Sequence, residues 1–277
     1  MTTNESSARP EADVKQCCAR LYENDLARYL LGESFHPGGL QTTRRLGDLL
    51  RLNSDSRVLD VACGKGTTAI FLAKEFGCQV FGIDYGMENV LDARALAQVE
   101  QVAGVQFERS DAEILPFADA SFDAVICECA FCVFPRKALA AAEFFRVLRP
   151  GGRIGMSDLT GVEVLPSELD GLLAWIACIG DAQTAEGYTT YLGNAGFSVD
   201  HIEPHDAALQ EMVDQIRLKL LGAEIMTGLN KLQLPGVDLA AAKRMANNTM
   251  AAIKQGQLGY VLICATKPNG LESQPRS

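Results

Sequence analysis

A short apolar run that leads into a glycine-rich turn constrains this chain more than any other feature. Residues 58–67 read VLDVACGKGT, a pattern that predicts a buried strand, a turn and the start of a helix over 67–76. Gly64 and Gly66 let a ligand approach the backbone closely and permit dihedral angles that other residues avoid. The first turn of the following helix offers free N–H groups. This order of elements predicts a ligand site at one edge of an α/β sheet.

Short apolar strands alternate with helical patterns beyond this turn. The alternation is typical of a doubly wound, Rossmann-like and mostly parallel sheet with helices on both faces. Strands are predicted over 58–61, 79–83, 105–109, 122–127, 153–157, 197–202 and 259–265. Helices are predicted over 14–32, 40–52, 67–76, 88–102, 138–148, 167–196, 209–221 and 239–254.

The domain organisation follows from changes in texture along the chain. Residues 1–13 are polar and predicted to be disordered, and residues 14–56 are predicted to form N-terminal helices that cap the sheet. The ligand-binding core covers 57–160. Residues 161–277 complete the sheet and carry a helical lid over 205–256, an insertion before the last strand that is too long for an ordinary loop.

Composition excludes several classes of function. The 277 residues include 25 basic and 35 acidic side chains, so the net charge is −10, and no basic stretch interrupts this balance. Nucleic acid and anionic membrane surfaces are therefore not expected as partners. The apolar run over 172–179 is far short of the ~20 residues that span a bilayer, and residues 1–13 lack the features of a signal peptide. We expect a cytoplasmic protein that acts on a small molecule, with a homodimer left open.

Acidic residues mark the ends of the first three predicted strands. Asp84 follows Asp60 by 24 residues and can accept hydrogen bonds from both hydroxyls of a ribose. Asp111 follows the third strand, where it can receive an adenine amino group. A nicotinamide dinucleotide is the main alternative, because the glycine turn and Ala69 give a relaxed form of its fingerprint. The carboxylate of Asp60 argues against it, since it would repel a pyrophosphate but suits a ligand that carries an ammonium.

Taken together, the segments across 57–158 resemble the class I S-adenosylmethionine-dependent methyltransferases in order and spacing. The matching pieces are Asp60-x-Ala62-x-Gly64-x-Gly66, Asp84, Asp111-Ala112, Leu115-Pro116-Phe117, Phe122-Asp123-Ala124-Val125 and Arg146-Val147-Leu148-Arg149-Pro150-Gly151-Gly152. The resemblance implies S-adenosylmethionine as cofactor, bound by Asp60, Ala62, Gly64, Gly66, Asp84, Tyr85, Asp111, Ala112 and Cys127. Ala62 stands where the family usually has a glycine, and its methyl group is tolerated if φ in the turn is negative.

Cysteines mark the other half of the predicted site. Cys127, Cys129 and Cys132 follow the fourth strand, and Cys178 lies beyond the fifth. These segments resemble the arsenite methyltransferases, in which a pair of thiolates that matches Cys129 and Cys178 binds trivalent arsenic. Soft thiolates suit such a centre, so the resemblance predicts arsenite as the acceptor and no resident metal ion. Cys132 is a candidate third sulfur, because a helix beginning near Cys129 would place both on one face.

The identity of the acceptor stays open at this point. The same cysteines can be apolar lining of a pocket for an organic acceptor, such as a quinone or a polyketide-like ring, that is methylated on oxygen or carbon. His36 is then a candidate general base. A nucleotide-type fold without a ligand, and a non-enzymatic protein that binds S-adenosylmethionine or senses a metalloid, are further alternatives. The remaining cysteines are expected to be packing residues: Cys17, Cys18, Cys63, Cys78 and Cys264.

Overall fold

The computed structural model describes Lys15, Tyr29, Leu30, Gly32 and residues 35–162, 178–229 and 238–269. These parts contain the strands β1 Arg57–Val61, β2 Gln79–Asp84, β3 Val105–Arg109, β4 Phe122–Glu128, β5 Leu148–Gly161, β6 Ser198–Pro204 and β7 Leu258–Thr266. They also contain the helices α1 Gly39–Leu50, α2 Thr67–Phe76, α3 Met87–Val99, α4 Lys137–Val147, α5 Ala185–Ala195, α6 Asp206–Gly228 and α7 Leu239–Lys254. A 3-10 turn, Phe131–Val133, follows β4.

The strands form one sheet in the order β3-β2-β1-β4-β5-β7-β6. Neighbouring pairs from β3 to β5 are parallel, and β7 runs antiparallel to both β5 and β6. The predicted doubly wound, mostly parallel sheet is confirmed. Strands β2 and β3 lie on one side of β1, and β4 and β5 lie on the other, so the strand order reverses between the neighbouring strands β1 and β4. Such a reversal leaves a crevice at the carboxyl ends of the strands.

Both faces of the central strands of the sheet are buried, as their apolar sequences require. On one face Val58 and Ile126 pack against α1, α2 and α3 residues in one apolar cluster. On the other face Leu59 and Val125 pack with residues of α4 and α5 in a second cluster. This double burial holds the carboxyl ends of β1, β2 and β4 rigidly beside one another. Within the described ranges, no helix combines the length and apolar character that crossing a membrane would need.

Two predicted helices differ from the structure in extent. The helix predicted over 167–196 is wrong over 178–184, because the chain turns there and α5 begins only after Thr184, whose side chain accepts a hydrogen bond from Gly187 N. Helix α6 extends seven residues past the predicted end at Leu221 and passes through Gly222 without a break. The helix predicted over 14–32, the packing role of Cys17 and Cys18, and residues 163–177 fall largely or wholly outside the described residues.

Candidate active site

A half-open cavity lies at the carboxyl ends of β1, β2 and β4 and beneath the loop that precedes α1. Nine of the predicted site residues line it: His36, Asp60, Ala62, Gly64, Asp84, Tyr85, Asp111, Ala112 and Cys129. The other four lie behind its walls: Gly66, Cys127, Cys132 and Cys178. The cavity therefore brings together seven of the nine predicted cofactor residues, His36 and Cys129, whereas the predicted cofactor residues Gly66 and Cys127 do not line it.

The glycine-rich turn is tightly wound. Ala62, Gly64 and Gly66 all have positive φ angles, of 59°, 51° and 78°, so the negative φ that would accommodate a methyl group at Ala62 is not present. A Cβ on Gly66 would lie 2.7 Å from the ring of Phe107, which explains this glycine by packing between α2 and the sheet. A Cβ on Gly64 would project toward Phe35 across the cavity, at 3.2 Å.

The buried carboxyl of Asp60 is incompletely satisfied. Asp60 is 2% exposed, and its Oδ2 atom has no hydrogen-bond partner. Burial, followed by the charges of Glu128 and Asp84, raises the pKa of Asp60 well above its usual value. A cationic ligand group beside Oδ2 would relieve this unfavourable burial. The site thus fits the positively charged methionine end of S-adenosylmethionine.

Asp84 ties the end of β2 to the glycine-rich turn. Its Oδ2 accepts a hydrogen bond from Gly64 N at 2.9 Å, and its Oδ1 accepts from Gly86 N at 2.8 Å and from Asn89 Nδ2 at 3.2 Å. Asp84 is 8% exposed, and it lines the cavity. It is therefore held in a fixed position at the wall of the cavity.

Lys15 reaches across the rim at Asp111. Its Nζ lies 2.7 Å from Asp111 Oδ2 and 2.5 Å from Glu113 Oε2. Glu113 is fully buried and also receives a hydrogen bond from Arg136 Nε at 2.8 Å. The residue predicted to receive adenine is thus part of an ion-pair network with Lys15, Glu113 and Arg136.

His36 and Glu128 form a second buried group in the cavity wall. Their side chains are 3% and 4% exposed, and His36 Nε2 lies 3.3 Å from Glu128 Oε2. The two atoms are not aligned for a hydrogen bond, so Nε2 has no hydrogen-bond partner. Nδ1 lies 3.4 Å from the carbonyl oxygen of Pro37. A proton on Nδ1 would leave Nε2 as a base inside the cavity.

Three cysteines meet at the back of the cavity. The Cys178 thiol donates a hydrogen bond to the carbonyl oxygen of Cys129, with its Sγ 3.4 Å from that oxygen, and it interacts with the side chains of both Cys129 and Cys132. The expected helix beginning near Cys129 is wrong, because φ is 52° at Cys129 and a single 3-10 turn begins at Phe131. Cys178 brings the sulfurs together instead.

The environment of Cys129 and Cys132 favours the protonated form of their thiols. The hydrogen bond with Cys178, followed by burial, raises the pKa of Cys129 well above its usual value. Burial and the same Cys178 contact raise the pKa of Cys132. Cys127 is also buried, and burial raises its pKa, but it points into the apolar cluster beneath β4. Of these thiols, only Cys129 borders the cavity.

Two buried charged residues hold the cysteine segment in place. Asp158 Oδ2 accepts from Cys132 N at 2.8 Å, and burial, followed by the charge of Cys178, raises the pKa of Asp158 to about 7. The Lys137 ammonium donates to the carbonyl oxygens of Cys132 and Phe134 at 2.7 and 3.2 Å and pairs with Asp181. These contacts fix the position of Cys129 relative to the cavity.

Comparison with known proteins identifies the family to which the chain belongs. The sequence profile described as a methyltransferase domain matches residues 52–196, just over half of the chain. The chain belongs to the methyltransferase domain family. It is a class I methyltransferase, and S-adenosylmethionine is its methyl donor.

Relatives of the methyltransferase act on different acceptors, according to their names. The 27-O-demethylrifamycin SV methyltransferase of Amycolatopsis mediterranei is 31% identical over 264 residues, which cover 88% of this chain and 94% of that protein. The phosphoethanolamine N-methyltransferase of Triticum aestivum is 32% identical over 71% of this chain. The arsenite methyltransferase of Halobacterium salinarum is 29% identical over 65% of this chain. The matched regions span only 37% and 47% of the last two proteins.

A solved structure shares the fold of the methyltransferase over nearly its whole length. The [4+2]-cyclase SpnF superposes with a TM-score of 0.78, covering 95% of this chain and 98% of its own, at 23% identity. At this identity the likeness concerns the fold alone. It includes the α/β sheet and the helices that follow β6.

Sequence reasoning missed Glu128, Thr68 and Lys15, which line the same cavity of the methyltransferase. Glu128 carried a usable signal, because it directly follows the buried run of β4 at the carboxyl edge of the sheet. Lys15 carried none, since its partner Asp111 is 96 residues away. In the described part of the chain, no group of three or more His, Cys, Asp or Glu side chains is arranged to hold a metal ion.

Proposed function

We propose that the methyltransferase acts on a hydroxyl oxygen of an apolar organic small molecule. The observation that carries this proposal is the buried imidazole of His36, whose Nε2 atom has no hydrogen-bond partner and borders the cofactor cavity. A buried carboxylate, Glu128, lies 3.3 Å from it. A base beside a buried carboxylate at the wall of this cavity is suited to accept the proton that an attacking hydroxyl releases.

The proposed mechanism assigns a task to each group. Bound S-adenosylmethionine supplies an electrophilic methyl group on a sulfonium leaving group. Asp60, Asp84 and Asp111 orient its methionine, ribose and adenine parts, which is the main contribution that an in-line transfer needs. His36 Nε2 takes the proton of the acceptor hydroxyl as the new carbon–oxygen bond forms. Glu128 then stabilises the imidazolium that results.

The apolar character of the acceptor is supported by the opposite wall of the cavity. Phe35, Val133 and Phe134 line it together with Cys129. A cavity with apolar walls and a few convergent polar groups is typical of sites for organic small molecules. The relative that is matched over 94% of its length is named for a methyl transfer to oxygen of rifamycin, which also supports an organic acceptor.

The experiment is an acceptor screen with a His36→Gln variant. Purified protein and S-adenosylmethionine would be incubated with phenols, hydroquinones, a macrocyclic polyketide that has a free hydroxyl, and arsenite, and products identified by mass spectrometry. With an active hydroxyl acceptor, His36→Gln is expected to lower kcat/KM by roughly 10²–10⁴-fold while S-adenosylmethionine still binds. His201→Gln, which removes a half-exposed histidine that pairs with Glu203, is the control. Unchanged kcat/KM in His36→Gln would refute the proposal.

Arsenite is the second candidate acceptor, because Cys178 contacts both Cys129 and Cys132. Thiols must lose their protons to bind a soft centre, and the raised pKa values of Cys129 and Cys132 oppose this step. Cys129→Ser and Cys178→Ser are expected to abolish turnover of arsenite, if arsenite is the acceptor, while S-adenosylmethionine binding persists. Full activity with arsenite in either variant would exclude this candidate.

Assembly and location are part of the proposal. The outer face of α6 and the residue that caps its C-terminus expose four large apolar side chains: Leu218 at 69%, Leu221 at 47%, Ile225 at 54% and Leu229 at 59%. A homodimer through this face would remove them from water, and light scattering over a range of concentrations would detect it. A mass that stays monomeric at every concentration would exclude it. The predicted cytoplasmic location stays a prediction.

A further inference from the structure

Each ring nitrogen of His36 faces an oxygen atom that a threonine hydroxyl holds in place. On one side, Nδ1 lies 3.4 Å from the carbonyl oxygen of Pro37, which accepts a hydrogen bond from Thr42 Oγ1 at 3.1 Å. On the other side, Nε2 lies 3.3 Å from Glu128 Oε2. A carbonyl oxygen can only accept a hydrogen bond, so the first contact favours a proton on Nδ1. Nε2 then carries a lone pair.

Two hydroxyls occupy the Glu128 oxygen that faces His36. Oε2 accepts a hydrogen bond from Thr68 Oγ1 at 2.7 Å and another from Thr43 Oγ1 at 2.9 Å. Thr43 lies on α1 and Thr68 in the first turn of α2, and the two residues are 0% and 6% exposed. Glu128 itself ends β4. Three elements therefore fix the direction of this carboxylate.

The two hydroxyls change what Glu128 needs from the imidazole. An unprotonated imidazole nitrogen and a carboxylate oxygen both carry lone pairs, so they repel each other unless a proton lies between them. Without other donors, the buried carboxylate would be satisfied by sharing a proton with Nε2, and the base would then be occupied. Hydrogen bonds from the hydroxyls stabilise the charged carboxylate without that proton. The Nε2 atom accordingly has no hydrogen-bond partner.

Glu128 is the acidic residue in ion-pair contact with His36 among the described residues. The other ionisable side chains of the cavity wall are Lys15, Asp60, Cys63, Asp84, Tyr85, Asp111 and Cys129. Lys15 is held by Asp111 and Glu113, and Asp84 accepts hydrogen bonds from the backbone N–H groups of Gly64 and Gly86. A change in the donors to Glu128 therefore acts on Nε2 directly.

We propose that Thr43 and Thr68 are positioning residues that keep His36 Nε2 free of a proton and open to the acceptor. They supply Glu128 with the hydrogen bonds that it would otherwise take from the imidazole. The proposal rests on the proposed function for the role of His36 as a base. The protonation of Nε2 is nevertheless measurable without any acceptor.

The first test is nitrogen NMR of the histidine side chains in isotope-labelled protein without an acceptor, with the His36 signals assigned by their loss in His36→Gln. Near neutral pH, the ratio of protonated to unprotonated Nε2 is expected to be about tenfold higher in Thr68→Val than in the wild type, because a hydrogen bond to a charged group is lost. Thr68→Ser keeps the hydroxyl and should restore the wild-type ratio. An unchanged ratio in Thr68→Val would overturn the proposal.

Thr249→Val is the matched control for this substitution. Thr249 is also 6% exposed, and its hydroxyl donates to the carbonyl oxygen of Met245 within α7, away from the cavity wall. Thr249→Val should leave the signals of His36 unchanged. Thr43→Val removes the second hydroxyl and keeps the proposal testable if Thr68→Val fails to fold. It is expected to raise the protonated fraction of Nε2 in the same direction.

The second test is the pH dependence of kcat/KM with the hydroxyl acceptor that the screen identifies. Thr68→Val is expected to lower kcat/KM about tenfold near neutral pH and to approach the wild type in alkaline buffer, where Nε2 loses its proton. A merely structural defect would lower the rate equally at every pH, and that result would contradict the positioning role.

The two proposals fail in different ways. Normal activity of His36→Gln, with the expected NMR change in Thr68→Val, would refute the hydroxyl chemistry and support the positioning of Nε2. Loss of activity in His36→Gln, with unchanged Nε2 signals in both valine variants, would support the base and refute its control by the threonines.

Discussion

Ala62 occupies a backbone conformation that favours glycine. With a φ of 59°, the backbone of Ala62 lies in the left-handed region, which costs a residue with a Cβ atom roughly 1–2 kcal/mol. Replacement by glycine removes this strain but adds freedom to the unfolded chain worth about 0.4–1 kcal/mol. Ala62→Gly is therefore expected to raise the free energy of unfolding by roughly 0.5–1 kcal/mol, measured by urea denaturation.

The control for Ala62→Gly is the same change inside a helix. Ala73 lies within α2 and is partly buried, so Ala73→Gly should lower stability by about 0.5–1 kcal/mol. A loss of stability in Ala62→Gly as well would show that the turn is not strained at this residue.

Asp158 predicts a pH dependence of stability. Its pKa is raised from 3.8 to about 7 in the folded protein, so between these values the folded state binds more protons than the unfolded state. The free energy of unfolding contributed by this group therefore falls as pH rises through the window and is level above about pH 7. Between pH 5 and pH 8, the free energy of unfolding of Asp158→Asn should rise by roughly 3 kcal/mol relative to that of the wild type. Urea denaturation curves at several pH values would measure this, and parallel pH profiles would contradict it.

Individual site residues were predictable where a local pattern identifies them. Asp60 lies one residue before the end of β1, Asp84 ends β2, and Gly64 lies in the turn between a strand and a helix, so spacing alone predicts that they meet. The role of Gly66 in packing depends on Phe107, which is distant in sequence. Thr43 and Glu128 are 85 residues apart. No short-range pattern predicts such contacts, because they depend on how helices pack on the finished sheet.

At the scale of elements, Lys137 joins two loops that flank the cavity. Its ammonium is 3% exposed and binds the carbonyl oxygens of Cys132 and Phe134 on one side and Asp181 on the other. Lys137→Met is expected to lower the free energy of unfolding by about 2 kcal/mol, because charged hydrogen bonds to buried carbonyls are lost. It should also lower methyl transfer, since Phe134 lines the cavity.

Lys74→Met is the matched control, since Lys74 forms an exposed ion pair with Glu100. It should change stability by less than about 0.5 kcal/mol. Equal effects of the two substitutions in urea denaturation would contradict the structural role of Lys137.

Element boundaries were harder to predict than the elements themselves. Apolar period and turn residues located every core strand, but the helix predicted to end at Leu221 continues to Gly228 in the structure and passes through Gly222. Helix α6 continues because Leu220 and Ala223 are buried on its inner face, and tertiary packing overrides the weak helix propensity of one glycine. Conversely, α5 begins later in the sequence than predicted, because the Thr184 side chain caps its first turn by accepting a hydrogen bond from Gly187 N.

At the scale of the whole molecule, the order of strands follows from the alternation of strands and helices. Right-handed crossovers place β2 and β3 on one side of β1, and β4 and β5 on the other. The insertion of β7 between β5 and β6 has no counterpart in this rule. In this position β7 runs antiparallel to both β5 and β6. The apolar residues over 258–266 do not indicate the direction of the strand, because a central strand is apolar whether it runs parallel or antiparallel to its neighbours.

The ion pair between Lys15 and Asp111 couples the cofactor cavity to a residue that is 96 positions away in the sequence. If adenine and Lys15 share the Asp111 carboxylate, any change that the cofactor makes in the free energy of this ion pair is matched by an equal change that the ion pair makes in the free energy of cofactor binding. Lys15 would then be a thermodynamic partner of the cofactor.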